Sequence, residues 1–65
     1  MKLIVNGRLL EAEAETLAAL MSELGYEGRW YATALNSEFV PRAGRMVARL
    51  TDGDRIEILT PRQGG

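Results

Sequence analysis

The sequence contains no cysteine and no histidine. Without cysteine there is no disulfide framework and no Cys-based metal site. Without histidine the commonest general base and the commonest metal ligand are missing as well. Neither a Ser-His nor a Cys-His pair can therefore be built. An excess of one charge is also lacking, since 8 Lys and Arg stand against 9 Asp and Glu, a formal net charge of −1. That balance supplies no electrostatic footprint for nucleic acid or an anionic membrane. The apolar runs fall far short of the roughly 20 residues that span a bilayer. "MKLIVNG" at the start is too short for a secretory apolar region. A cytoplasmic domain with no bound cofactor, no nucleic acid and no membrane partner is the expectation. The 65 residues make one domain, and a chain this short buries only about 60% of its unfolded surface. A core and a substrate pocket do not fit together comfortably in it, which counts against an enzyme acting alone.

What is present divides by period. Leu3, Ile4 and Val5 form an apolar run, Asn6-Gly7 follows, and Leu9 and Leu10 come next. Asn-Gly between apolar runs signals a hairpin, because both residues tolerate the positive φ of a type I′ turn. Strands over 2–6 and 8–13 are expected. Leu17, Leu20, Met21 and Leu24 then recur at helical spacing. Thr16 is the expected N-cap, with Glu15 beside the positive helix end and Gly25 suited to the left-handed stop. Ala19 leaves the capping box incomplete.

Extended structure returns with "WYATALNSEFVPR". Tyr31, Thr33 and Leu35 carry bulk on one face, and Ala32 and Ala34 carry little on the other. That alanine face either packs closely under the helix or is simply short of bulk. Asn36-Ser37-Glu38 reads as a turn, and Pro41 confines the piece begun by Phe39-Val40 to a sheet edge. "AGRMVARL" is open between a short helical turn and irregular chain. Asp52-Gly53 is a turn, and alternation at Ile56 and Ile58 predicts a last strand over 54–60. The order β-β-α-β-β implies two layers, a mixed sheet of four to five strands with one helix across one face, an α+β class.

Several residue groups admit a functional and a plainer reading. Glu11, Glu13 and Glu15 recur two apart, which suits a solvated face better than an acid/base pair. Asp52 and Asp54 flank Gly53 as turn residues that bond locally more readily than they ligate a cation. Trp30, Tyr31 and Phe39 could make a stacking platform for nucleic acid, which the lack of a basic patch disfavours. They are either core, which so small a domain needs, or in part an exposed protein-docking patch.

The ending "TPRQGG" is the remaining feature. Pro61 should stop the strand ladder, leaving Arg62 to Gly65 without an apolar anchor and flexible. Four extended residues reach at most roughly 14 Å. Two glycines without Cβ can thread a narrow channel and present the Gly65 carboxylate in another protein's active site. A frayed end with a chance Gly-Gly is the plainer alternative.

With these elements in order, the whole chain resembles a β-grasp, ubiquitin-like fold. Within that fold it resembles the ThiS family, the bacterial sulfur carrier proteins of thiamin thiazole synthesis. The resemblance rests on "NG" at 6–7, "TLAALMSELG" at 16–25, "ALNSEFVPR" at 34–42, "LTDGDRIEIL" at 50–59 and the final "GG". It implies a β-grasp domain over 1–61 and a tail over 62–65. By the same resemblance an E1-like adenylyltransferase (ThiF-type) adenylates the Gly65 carboxylate with ATP. Sulfur from a persulfide donor then displaces AMP, and the resulting thiocarboxylate supplies a thiazole synthase (ThiG-type). Gly64, Gln63 and Arg62 would be the tail threaded into those partners. "VPR" at 40–42 is a recognition signature with no catalytic role assigned. The chain would be carrier and co-substrate rather than catalyst, in keeping with its lack of a base and a nucleophile. Rival readings are the small subunit of molybdopterin synthase, a ubiquitin-like protein modifier, and a docking module whose Gly-Gly is incidental.

Overall fold

Alternation sets the first strand: Leu3 and Val5 are buried while Lys2 is exposed and Ile4 half-exposed. The computed structural model describes residues 1–26 and 30–60. The expected boundary after Pro61, and Arg62, Gln63, Gly64 and Gly65, lie outside the described residues. Strand β1 (Lys2–Val5) pairs antiparallel with β2 (Arg8–Glu11), Val5 opposite Arg8. The turn between them has Asn6 at φ 51° and Gly7 at φ 82°, the left-handed pair that a two-residue hairpin needs.

Both strands are shorter than expected. β1 stops at Val5 because Asn6 enters the turn. β2 ends at Glu11, and Ala12 prolongs its pairing by exchanging hydrogen bonds with the Met1 backbone before Ala14 follows it into the core. Helix α1 (Leu17–Glu23) starts at Thr16, whose hydroxyl accepts a hydrogen bond from the Ala19 amide at 3.2 Å. Leu17, Leu20 and Met21 are buried, Leu24 sits at the margin, and Gly25 takes φ 88° just past the helix.

Strand β3 (Ala32–Leu35) pairs with β4 (Glu38–Val40) through a second two-residue turn at Asn36-Ser37. In the ambiguous stretch over 43–50 only the start is helical, a single 3₁₀ turn at Arg42–Gly44, and the rest is turn and irregular chain with one bridge from Arg49 to Thr16. The last strand, β5 (Arg55–Leu59), is trimmed at both ends relative to 54–60. Asp54 belongs to the preceding turn, its carboxylate accepting from the Thr51 amide at 2.7 Å. Asp52 instead accepts from the Lys2 amide at 2.6 Å, 50 residues away in sequence, so Asp54 makes the local turn bond that was expected while Asp52 ties the turn to the start of β1.

The sheet order is β2-β1-β5-β3-β4, with β1 and β5 parallel and the other pairs antiparallel. This is the α+β, β-grasp arrangement, with β4 and its following Pro41 at an edge. One face of the sheet is filled by Leu3, Val5, Tyr31, Ile56 and Ile58 packed with Leu17, Leu20 and Met21. The other face carries Leu9, Phe39 and Leu59, all largely exposed.

Candidate functional site

β5 lies at the centre of the sheet, and from its end the chain runs on to Gly65. The register puts Leu59 opposite Ala32 and Ile58 opposite Thr33, while Val40 also lies opposite Thr33. The end of β5, the start of β3 and the end of β4 therefore share one end of the sheet. Trp30, Tyr31, Pro41 and Arg42 gather there.

Two hollows open around this end. On the outer face the alternation of β3 sends Tyr31 and Thr33 to the core and leaves Ala32 and Ala34 outward. The alanine face is thus turned away from the helix. With no bulk on it, a hollow of about 210 Å³ forms among Ala32, Ala34, Phe39 and Leu59, with Ser37 and Glu57 also lining it. The second is a cleft of about 120 Å³ lined by Trp30, Tyr31, Phe39, Pro41, Arg42 and Arg45. Both are smaller than the roughly 300 Å³ at which small-molecule pockets begin. Each has room for about one side chain.

A polar network fixes the second cleft. Thr33, 2% exposed, donates from Oγ1 to the Val40 carbonyl at 2.7 Å. Arg45 Nε donates to Thr33 Oγ1 at 3.0 Å, and Arg45 Nη2 donates to the Tyr31 carbonyl at 2.7 Å. The Arg45 carbonyl accepts from the Ala18 amide at 3.0 Å, tying the loop to α1 as well. Nothing in the sequence marked Arg45, because a lone arginine in an irregular stretch carries no periodic signal.

Other candidate residues resolve more plainly. Glu11 and Glu15 meet cations at the surface, Glu11 with the Met1 ammonium at 2.9 Å and Glu15 with Arg49 at 3.6 Å. Glu13 is exposed. Of the aromatics, Tyr31 is core and stacks edge-on with Tyr26 at 5.2 Å between ring centres. Trp30 at 65% and Phe39 at 71% exposure are the surface subset. No described helix is long and apolar enough to cross a membrane. Arg62, Gln63, Gly64 and Gly65 lie beyond the described residues, and this end of the sheet is the platform from which they continue.

Comparison with known proteins places this geometry in context. The ThiS family model matches residues 3–65. A thiazole synthase from Paramagnetospirillum magneticum is 38% identical over 66 residues, covering 100% of this chain and 20% of that protein. The chain thus spans about one fifth of that relative's length. The crystal structure of a ThiS thiamine biosynthesis protein from Geobacter metallireducens superposes with a TM-score of 0.84 at 30% identity, covering 100% of both chains. An NMR solution structure of a thiamine biosynthesis protein from the same organism gives 0.80 at 28% identity, over 100% of this chain and 88% of that one. With nearly its whole length inside the family match and the same fold in a solved ThiS protein, the chain belongs to the ThiS family.

Proposed function

We propose that the protein is a sulfur carrier for thiazole formation in thiamin biosynthesis, with the Gly65 carboxylate as its working group. The observation that carries this reading is the extent of the family match, which runs through Gly64 to Gly65. A carboxylate is a poor electrophile, and adenylation gives it a good leaving group. An E1-like adenylyltransferase transfers AMP from ATP to the Gly65 carboxylate and releases pyrophosphate. A persulfide sulfur then attacks the acyl carbon, AMP leaves, and reduction of the resulting acyl disulfide by a thiol frees the thiocarboxylate. That group passes its sulfur to thiazole synthase.

This chain acts as carrier and co-substrate, and its partners supply the base and the nucleophile. Arg62, Gln63 and Gly64 form the part of the tail that partners thread. The relatives named above, a thiazole synthase and a thiamine biosynthesis protein, favour thiazole synthase as acceptor over molybdopterin synthase.

The test is reconstitution with ATP, a persulfide donor and the E1-like enzyme, followed by intact-mass spectrometry. One oxygen-to-sulfur exchange is expected in the full chain and none in a chain lacking Gly64 and Gly65. The truncated chain should unfold at nearly the same temperature. An unchanged mass in the full chain under conditions that thiolate another ThiS protein would sink the carrier reading. Lysine-linked adducts in place of the exchange would assign the chain to the modifiers.

A further inference from the structure

The segment Val40-Pro41-Arg42 carries no role in the chemistry above. The structure puts Pro41 and Arg42 into the cleft with Trp30, Phe39 and Arg45, at the sheet end from which the chain continues to Gly65. Three features set this cleft apart.

First, it is cationic in a chain whose net charge is −1. Two arginines line it, and no carboxylate among the described residues does. The ion pairs among the described residues join Met1 to Glu11 and Arg49 to Glu15, so neither Arg42 nor Arg45 is neutralised by a described carboxylate. Arg45 is oriented by two neutral oxygens, those of Tyr31 and Thr33. Its positive charge is therefore held in place without being cancelled. Second, Trp30 is the chain's sole tryptophan, and it stands with Phe39 at the surface although a domain this small needs large apolar groups for its core. Tryptophan, phenylalanine and arginine are the types enriched in protein interfaces. Third, about 120 Å³ admits one side chain, well below the size of a small-molecule pocket.

We infer that this cleft seats an acidic side chain of thiazole synthase, its carboxylate between Arg42 and Arg45 and its neighbouring apolar surface on Trp30 and Phe39. Guanidinium groups match a carboxylate in charge and in planar fork geometry. The occupant follows from the relative in which a domain 38% identical to this chain makes up 20% of a thiazole synthase. The two units are joined in one polypeptide there, so their surfaces meet at high effective concentration. Docking at this end of the sheet holds the synthase beside the route to Gly65. Phe39 also lines the hollow over Ala32 and Ala34, where Glu57 stands, so the two depressions share that side chain while the positive charge belongs to the cleft alone. The partner assignment rests on the carrier reading above.

The test uses the ¹⁵N-labelled full chain titrated with unlabelled thiazole synthase of the same organism. The indole N–H of Trp30 gives the chain's one tryptophan side-chain signal, so the cleft is observed directly. That signal and the Arg45 Nε–H signal are expected to shift, and the affinity to fall as salt rises. Arg42→Glu and Trp30→Ala should each weaken binding at least about tenfold, the scale of a lost interfacial hot spot. Arg42→Lys should lose less than Arg42→Glu. Arg42 is exposed, so these changes should leave the unfolding temperature nearly unmoved. Binding of both variants at wild-type strength, or a Trp30 signal that stays still while other signals move, would overturn the site. A shift of Trp30 with the carrier's own concentration would assign the cleft to a second copy and likewise overturn it. Thiolation of Gly65 with no binding to the synthase overturns this docking site alone. Cleft binding without thiolation overturns the carrier reading alone.

Discussion

Asn6 and Asn36 each occupy a left-handed turn position, at φ 51° and 50°, and each clamps a different end of β5. Asn6 Oδ1 accepts from the Ile58 amide at 2.8 Å and its Nδ2 donates to the Ile58 carbonyl at 3.1 Å. In this way a side chain continues the parallel ladder one step past the end of β1. Asn36 Oδ1 accepts from the Arg55 amide at 2.9 Å, and its Nδ2 donates to Asp54 Oδ1 at 3.0 Å. Asn6→Gly keeps the turn and loses the clamp, which should cost about 1 kcal/mol. Asn6→Ala should cost about 1–2 kcal/mol more, because alanine resists the left-handed backbone. Urea unfolding of the two variants separates these contributions. The Asn-Gly pair disclosed its turn in the sequence, because φ preference is local. The carboxamide's bonds to Ile58 were hidden, because they join residues 52 apart. At the same scale, a hydrogen bond to Glu11 raises the Met1 ammonium above its ordinary 8.0, against a smaller opposing effect of desolvation. A raised folded pKa means the contribution is complete below about pH 8 and lost as pH rises through the folded value. Unfolding temperature should therefore decline slightly above pH 8, and the decline should shrink in Glu11→Gln.

Among the elements, the hairpin of β3 and β4 carries the clearest strain. Ser37 sits at φ 73°, a left-handed conformation that costs a non-glycine residue roughly 1–2 kcal/mol. Its hydroxyl accepts a long contact from Arg55, at 3.4 Å. Ser37→Gly should stabilise the domain by about 0.5–1 kcal/mol after glycine's entropy is offset, as thermal unfolding would show. No such gain would mean that the turn relaxes in solution. The passage from β2 into α1 has its own fastening, since the Glu23 carboxylate accepts the Glu13 amide at 3.2 Å and the Ala14 amide at 3.0 Å. Glu23→Ala should cost about 1 kcal/mol and increase hydrogen exchange at both amides. The alternation of Glu11 and Ala12 still follows the sheet, Ala12 exchanging hydrogen bonds with Met1 at 2.9 and 3.0 Å, and the chain departs at Glu13 and Ala14, whose amides turn to Glu23 instead. Helix α1 itself was legible from its 3.6-residue period and its Thr16 cap.

At the level of the whole molecule, β5 is last in sequence and central in the sheet, paired with β1 on one side and β3 on the other. That placement makes a firm base for whatever follows Leu59. Ile56 and Ile58 are locked in the core, while the exposed Leu59 faces the outer hollow. The fold class was legible because period, turn chemistry and element order agree. The docking cleft was not, because it joins Trp30, Pro41, Arg42 and Arg45 through tertiary structure alone. "VPR" and the aromatics Trp30 and Phe39 each hinted at it separately, and only the fold brings them together. The most direct measurement is the intact mass of the protein isolated rapidly from its own host, before a thiocarboxylate can hydrolyse. A fraction heavier by one oxygen-to-sulfur exchange is expected, localised to Gly65 by fragmentation. A uniformly unmodified mass from cells actively making thiamin, or a modification elsewhere in the chain, would contradict the carrier role.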